Sequence, residues 1–427
     1  MKIRFVTLGC KLNFAESSAL GKELLLRGHQ RATLNEVPDV CVVNTCSVTD
    51  AADHKDRQAI NQLHRKYPNA TIVVTGCYAQ LQPEQISQIE GVDYVLGQNE
   101  KYDIPQLIEE IEKHASIAST QETHTNLQNK IRVAAIREVD NFHGVHSADD
   151  RTRCFIKVQD GCNYFCTYCT IPYARGKSRN PKIAEVVIDA QTALNQGAKE
   201  LIITGVNIGD FGRSTGEQFI DLLRAFDQLD GDYRVRISSC EPNLLTDEII
   251  DFVANSKHFA PHFHIPLQSG SNEVLAIMKR RYTRELFAER VQHIRKVMPH
   301  AFIGVDCMVG VRGETEACWE DYLTFIHGLD VSQLHVFTYS ERANTRMLEL
   351  DLYVVPKAER QRRSKILHAV SEEKTSAFYA QHAGRTAVVL WESKKEGDQM
   401  SGFTDNYIKV YGPYKKEKIN TFEEIVL

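Results

Sequence analysis

Short apolar, β-branched runs alternate with amphipathic stretches over the first part of the chain. KIRFVTLG at 2–9, DVCVVNT at 39–45, TIVVTG at 71–76 and VDYVLG at 92–97 read as strands. NFAESSALGKELLLRGH puts Ala19, Leu20, Glu23 and Leu24 at helical spacing with Gly28 as a stop, and AADHKDRQAINQLHRKY fills a later gap. The alternation predicts an α/β domain over residues 1–117 with a doubly wound parallel sheet. Residues 118–147 are polar and aperiodic and read as a linker, with a short strand at IRVAAI. A second alternation fills 148–375, with strands expected at 153–159, 200–206, 233–239, 262–268, 302–310 and 333–340. Six βα units suit a partial (β/α)6 barrel, followed by a helix at 357–375. Over 376–427 the pattern changes to short strands joined by Gly, Asp and Asn turns, predicting a small β-barrel or meander.

The composition of the 427 residues, 42% hydrophobic and 25% charged, is that of a folded chain rather than a disordered one. No run of apolar residues is long enough for a membrane span. The start, MKIRFVTLGCKLNFAESS, lacks a basic-then-apolar export layout, so a cytoplasmic protein is expected. A net charge of −5 shows no overall bias toward nucleic acid. Eleven cysteines in such a chain point to metal or redox chemistry rather than a disulfide framework.

QDGCNYFCTYCTIPYARG sets Cys162, Cys166 and Cys169 in a C-x3-C-x2-C loop at the carboxyl mouth of the expected barrel. Three thiolates hold three irons of a four-iron cluster and leave the fourth open to a substrate or cofactor. A structural zinc would need a fourth ligand, and no histidine lies in the loop. Cys10, Cys46 and Cys77 each follow one of the first three expected strands, with small neighbours Gly9, Thr45 and Gly76. The carboxyl ends of parallel strands lie side by side, about 4.8 Å apart, where such sheets bind ligands. Position alone therefore suggests a second metal cluster. Cys41, Cys154, Cys240, Cys307 and Cys318 read as packed thiols.

Other residues at the expected mouth are less specific. Tyr168 suits packing on an adenine or in a core. Gly205 and Asn207 in ITGVNIGDFG, Ser239 and Glu241 in SSCEP, and Gln268 and Ser269 in PLQSGS end successive strands. They offer polar groups to a ribose or amino-acid moiety, and helix capping explains the Ser and Glu equally well. His262 and His264 read as hydrogen-bonding groups. Basic runs at Lys279–Arg284, Lys357–Lys365 and Arg175–Arg179 read as solvated faces or, if they converge, as a phosphate track. Phe403, Tyr407, Tyr411 and Tyr414 suit base stacking or the core of the terminal module.

The Cys162–Cys166–Cys169 loop with Tyr168 resembles the cluster loop of radical S-adenosylmethionine (SAM) enzymes. With the three upstream cysteines and a terminal module resembling a TRAM domain, nearly the whole chain resembles the radical SAM methylthiotransferase family. TLGCKLNFAES, NTCSVT, TGCYAQ, IPYARGKSR, HIPLQSGSNEVLAIMKRRYT, GETE and FTYSERANT fit its motifs. The resemblance implies two 4Fe–4S clusters, one at each cysteine set, and SAM as a cofactor used twice per turnover. It implies a methylthio group placed on C2 of an adenine beside the anticodon, hence tRNA as partner. An electron donor such as flavodoxin or ferredoxin and a sulfur donor are implied as well. Gly9-Cys10-Lys11-Leu12-Asn13 resembles the branch that modifies threonylcarbamoyladenosine. Sister branches modify isopentenyladenosine or a ribosomal-protein aspartate. The family usually reads Gly-Phe-Pro-Gly-Glu-Thr where this chain has Gly310-Val311-Arg312-Gly313-Glu314-Thr315, so this loop is expected to differ in shape.

Overall fold

Six parallel strands open the chain in the computed structural model, which describes residues 1–33, 35–118, 130–139, 141–147 and 152–427. They are β1 (Lys2–Thr7), β2 (Gln30–Arg31), β3 (Val40–Thr45), β4 (Thr71–Gly76), β5 (Val92–Leu96) and β6 (Ile131–Arg132). Their order is β2-β1-β3-β4-β5-β6, so the winding reverses between β1 and β3. Between them run α1 (Lys11–Leu26), α2 (Asp50–Lys66), α3 (Cys77–Leu81), α4 (Pro83–Ser87) and α5 (Ile104–Ala118). Side chains alternate across a strand. Val40 and Val42 of β3 therefore join Leu20, Leu24, Leu107 and Ile108 of α1 and α5, while Cys41 and Val43 join Ile60, Leu63 and Ile86 of α2 and α4. Helices cover both faces, which is why the central strands read as continuous apolar runs.

The chain divides into two compact units. The first comprises Met1–Ala148 with Asp160–Asn163 and Cys169–Arg179; the second comprises Asp149–Gln159, Tyr164–Tyr168 and Asn180–Leu427. Part of the expected linker, 119–129 and 140, lies outside the described residues. Its described remainder is built into the first unit: β6 pairs in parallel with Val95 and Leu96, and a short strand β7 (Val145–His146) packs near α1. Two-residue strands are too short to show alternation, so β2 escaped the pattern.

In the second unit β8 (Arg153–Lys157), β9 (Glu200–Thr204) and β10 (Arg234–Ile237) form one parallel ladder. β11 (His262–Gln268), β12 (Phe302–Val309) and β13 (Gln333–Thr338) form another, and a bridge from Ser239 to His264 continues β10 toward β11. Six parallel strands thus follow chain order. The helices in the chain are α6 (Ile171–Arg175, in the first unit), then α7 (Ile183–Asn195), α8 (Phe219–Phe226), α9 (Asp247–Asn255), α10 (Asn272–Ile277), α11 (Arg284–Val297) and α12 (Glu316–Gly328). One apolar core joins α7, α8, α9, α11 and α12 to the strands, with Ile156, Ile203, Val235, Ile265, Val305 and Leu334 at its centre.

The helix expected at 357–375 extends further, as α13 (Lys357–His382). Phe378 and His382 prolong the buried stripe begun by Arg363, Leu367 and Val370, and Gly384 with φ +77° follows the helix end. The terminal module is an antiparallel sheet of β14 (Thr386–Glu396), β15 (Gln399–Thr404), β16 (Lys409–Pro413) and β17 (Phe422–Val426), ordered β16-β15-β14-β17. A bulge between Trp391 and Lys395 curls it. Phe403 and Tyr407 stack on each other beneath Arg153 and Arg236, whereas Tyr411 is exposed beside Lys409. Among the described residues no helix is long and apolar enough to cross a membrane.

Candidate metal centres

Each of the three upstream cysteines stands at a carboxyl strand end. Cys10 is the N-cap of α1 after β1, Cys46 follows β3, and Cys77 opens α3 after β4. β1 and β3 flank the reversal of winding, the place where open parallel sheets bind ligands. Cys10 is exposed; Cys46 and Cys77 are buried. Gly9 has φ +92°, and a Cβ there would lie 2.7 Å from Cys46 Sγ, so only glycine lets the two loops touch. Gly76, at φ 100° and ψ −165°, occupies backbone space reserved for glycine, and its missing Cβ would strike Thr45.

Hydrogen bonds tie the three loops together. Asn13 Nδ2 donates to the carbonyls of Leu8 and Thr45 at 2.8 and 2.9 Å. Thr45 Oγ1 donates to the carbonyl of Thr75 at 2.5 Å. The Cys46 amide donates to buried Asp56 at 3.0 Å, and Gln98 Nε2 to Cys77 Sγ at 3.3 Å. Burial, reinforced by the neighbouring Cys77 and Cys10 thiols, pushes Cys46 up to about 12. Burial also raises Cys77, with Arg175 and Lys101 opposing it. The buried Cys46 and Cys77 thiols are thus held protonated until a metal displaces their protons. Among the described residues no three His, Cys, Asp or Glu side chains close on one point as a single-ion site would. Three cysteine thiols at adjacent strand ends suit a polynuclear group bound by one thiolate per iron.

Beyond the cysteines lies an ion cluster that motif reading missed. Arg175, read as part of a basic run, is buried and pairs with Glu16 and Asp160, each at 3.0 Å. Lys101, fully buried, pairs with Glu16 at 2.6 Å. The available signal was polar: Asn13, Glu16 and Ser17 sit on the face of α1 that should be apolar.

The C-x3-C-x2-C loop follows β8. Cys162 and Cys169 belong to the segments of the first unit and Cys166 to the second. The Cys162 amide donates to the carbonyl of Gly176 at 3.0 Å. Cys166 is buried, and its Sγ accepts from Arg280 Nη1 at 3.2 Å. Burial raises the Cys166 thiol and Arg280 opposes that. Arg280 also donates to Tyr168 Oη at 3.4 Å and forms a tight ion pair with Glu241.

The remaining expected binding residues cluster in the second unit. Tyr168 packs with Val274, Met278, Val311 and Met347. Gly205 leaves room for Gln159, whose Oε1 accepts from the amides of Val206 and Asn207 at 2.9 and 2.8 Å. Asn207 is buried with its side-chain amide beside the Tyr164 hydroxyl, and Gln268 Oε1 is buried without a partner. Gln268 has φ +64° at a bulge in β11. Buried amides at strand ends want a polar ligand, and the amino-acid and ribose ends of SAM fit them. Ser239 is half-buried, Ser269 accepts from the Ser271 amide, and His264 meets Asp306 at 2.7 Å.

The basic runs are partly internal, while Lys177, Lys279, Arg281, Lys357 and Lys365 are exposed. Arg280 and Arg175 are internal, Arg284 pairs with Asp321, and Arg363 is buried against Glu314, Glu316 and Glu359. In the divergent loop Val311 is fully buried and Arg312 pairs with Glu341.

Residues 2–97 match the model described as Uncharacterized protein family UPF0004, and residues 156–326 match the Radical SAM superfamily. The chain is 35% identical to the threonylcarbamoyladenosine tRNA methylthiotransferase MtaB of Bacillus subtilis (strain 168), over 96% of this chain and 89% of that protein. The protein of the same name from Aquifex aeolicus (strain VF5) is 33% identical over 96% of each. The tRNA-2-methylthio-N(6)-dimethylallyladenosine synthase of Desulfitobacterium hafniense (strain Y51) is 29% identical over 100% of this chain and 94% of that protein. Among solved structures, the radical SAM methyltransferase TsrM from Kitasatospora setae superposes with a TM-score of 0.59 at 16% identity, over 81% of this chain and 76% of that one, a likeness of fold. The chain belongs to the radical SAM methylthiotransferase family, in the company of the MtaB-type enzymes.

Proposed function

We infer that this enzyme attaches a methylthio group to C2 of threonylcarbamoyladenosine beside the anticodon of tRNA. The carrying observation is the trio Cys10, Cys46 and Cys77 at three adjacent strand ends, two of them flanking the winding reversal. The MtaB-type relatives at 33–35% identity support the substrate. We read residues 1–117 as a doubly wound methylthiotransferase domain, 148–375 as a partial (β/α)6 radical SAM barrel and 376–427 as a TRAM-like module. The reaction sets the cytoplasm as its place, with a flavodoxin or ferredoxin as electron donor and a separate sulfur donor.

When bound, two 4Fe–4S clusters and SAM supply one-electron cleavage of SAM and a sulfur held for transfer. Cys162, Cys166 and Cys169 hold one cluster, and Cys10, Cys46 and Cys77 the other. Arg280 compensates the thiolate charge at Cys166 and fixes Glu241 and Tyr168. Asn207 and Gln268 offer their side-chain amides to the polar ends of SAM, with Gly205, Ser239 and Glu241 among the same strand ends. Gly9 and Gly76 permit the loop approach, and the Asn13 and Thr45 bonds hold the cysteine spacing.

Anaerobic reconstitution tests this. The whole chain should take about eight irons and cleave SAM under dithionite, four irons belonging to each cluster. Cys10→Ala should still cleave SAM and lose thiolation. Thiolation surviving in Cys10→Ala would make the upstream cysteines structural.

A further inference from the structure

Asn13 lies on α1 one turn after Cys10, and every polar atom of its side chain is engaged. Nδ2 donates to the Leu8 and Thr45 carbonyls, directly ahead of Gly9-Cys10 and of Cys46. Those two acceptors fix the amide's orientation, so Oδ1 faces the opposite way. It accepts from Arg175 Nη2 at 2.7 Å and lies 3.8 Å from Cys10 Sγ.

Arg175 ends α6, in the segment that begins at Cys169. Its Nη1 donates to Glu16 Oε1 and Asp160 Oδ1, both at 3.0 Å, and Nη2 reaches Glu16 Oε2 at 3.3 Å. Glu16 also accepts from Lys101, and Asp160 from Arg179 at 3.1 Å. Arg175, Glu16, Lys101 and Asp160 are 1%, 1%, 0% and 3% exposed. Buried ion networks of this kind add little stability over packed apolar side chains, which points to another task. Thiolates at Cys46 and Cys77 bring negative charge into a buried place, and Arg175, bonded to Asn13, and Lys101, bonded to Glu16, are buried cations near Cys77.

We propose that Asn13 and Arg175 are positioning residues of the Cys10–Cys46–Cys77 site. Asn13 sets the spacing of the loops that carry Cys10 and Cys46. Arg175 orients Asn13 and supplies buried positive charge to the cluster. Because Arg175 shares its segment with Cys169, one side chain ties part of the C-x3-C-x2-C loop to the upstream site. The proposal rests on the inferred cluster at Cys10, Cys46 and Cys77.

The full chain carrying Cys162→Ala, Cys166→Ala and Cys169→Ala isolates that cluster. Reconstituted anaerobically, it should bind about four irons; binding none would sink the cluster reading itself, a failure distinct from those below. In that background Arg175→Met should move the midpoint of an EPR-monitored reductive titration to more negative values, since a lost cation disfavours the reduced, more negative state. Arg175→Lys keeps the charge without the fork, so it should restore the midpoint and retain an altered EPR line shape. Asn13→Ala should alter the line shape while keeping the midpoint closer to the parent than Arg175→Met does. An unchanged midpoint in Arg175→Met overturns the charge role. Unchanged line shapes in both Arg175→Lys and Asn13→Ala overturn the positioning role, and these two milder variants decide the matter if Arg175→Met does not fold.

Discussion

Arg280 Nη1 donates to Cys166 Sγ at 3.2 Å while another nitrogen of the same guanidinium grips Glu241. The pair joins the end of β10 to the cysteine loop through a buried charge. Arg280→Met should leave the half-buried Glu241 unpaired, a loss of about 1–3 kcal/mol. Calorimetry should show a lower Tm, and SAM cleavage should fall about tenfold or more as Glu241 and Tyr168 lose their anchor. Arg280→Lys should recover part of the Tm but less of the activity, because a single ammonium cannot reproduce the fork.

Gly76→Ala forces a side chain into a glycine-only conformation against the Thr45 backbone. Strain of this kind costs about 1–3 kcal/mol, before any clash. The variant should lose about four irons, those of the upstream cluster, and keep the others. Equal iron in variant and parent would show that the loop approach is not required.

Glu200 reports on acid stability. Burial alone would raise its pKa, but Arg236 and Arg234 hold the carboxyl down to about 2. A depressed folded pKa gives stability that is present above the unfolded value, about 4.3, and is lost as pH falls toward 2. Stability should therefore drop between about pH 4.5 and 2. Glu200→Gln, which leaves two buried arginines without a counter-charge, should lower stability at pH 7 by about 3–5 kcal/mol. It should also flatten the acid dependence, as urea unfolding at several pH values would record.

Both cysteine sets and most strands were legible in the sequence because thiol position relative to apolar runs is a local property. Cys10, Cys46 and Cys77 could be placed at strand ends without knowing strand order. The charged groups behind them were not legible. Arg175, Arg280 and Arg363 look like surface charges, since charged residues are by default exposed, and only tertiary pairing reveals otherwise. The short strands β2 and β7 and the last turns of α13 were missed for a different reason. Two residues carry no period, and the α13 stripe passes through Ser371, Phe378 and His382, a mixture that does not read as apolar.

Asn207 and Gln268 present side-chain amides at strand ends, the Gln268 Oε1 without a partner. Asn207→Ala and Gln268→Ala should raise the KM for SAM several-fold while leaving iron content unchanged, as steady-state cleavage assays and iron analysis would show. Unaltered KM in both would remove them from the SAM site.

The central claim is the identity of the modified base. Total tRNA from cells lacking this protein should be digested to nucleosides and examined by mass spectrometry. The account predicts loss of 2-methylthio-threonylcarbamoyladenosine with a matching rise in threonylcarbamoyladenosine, both reversed by the intact gene and not by Cys10→Ala. Persistence of that nucleoside, with loss of a methylthiolated isopentenyladenosine or ribosomal-protein aspartate instead, would contradict it.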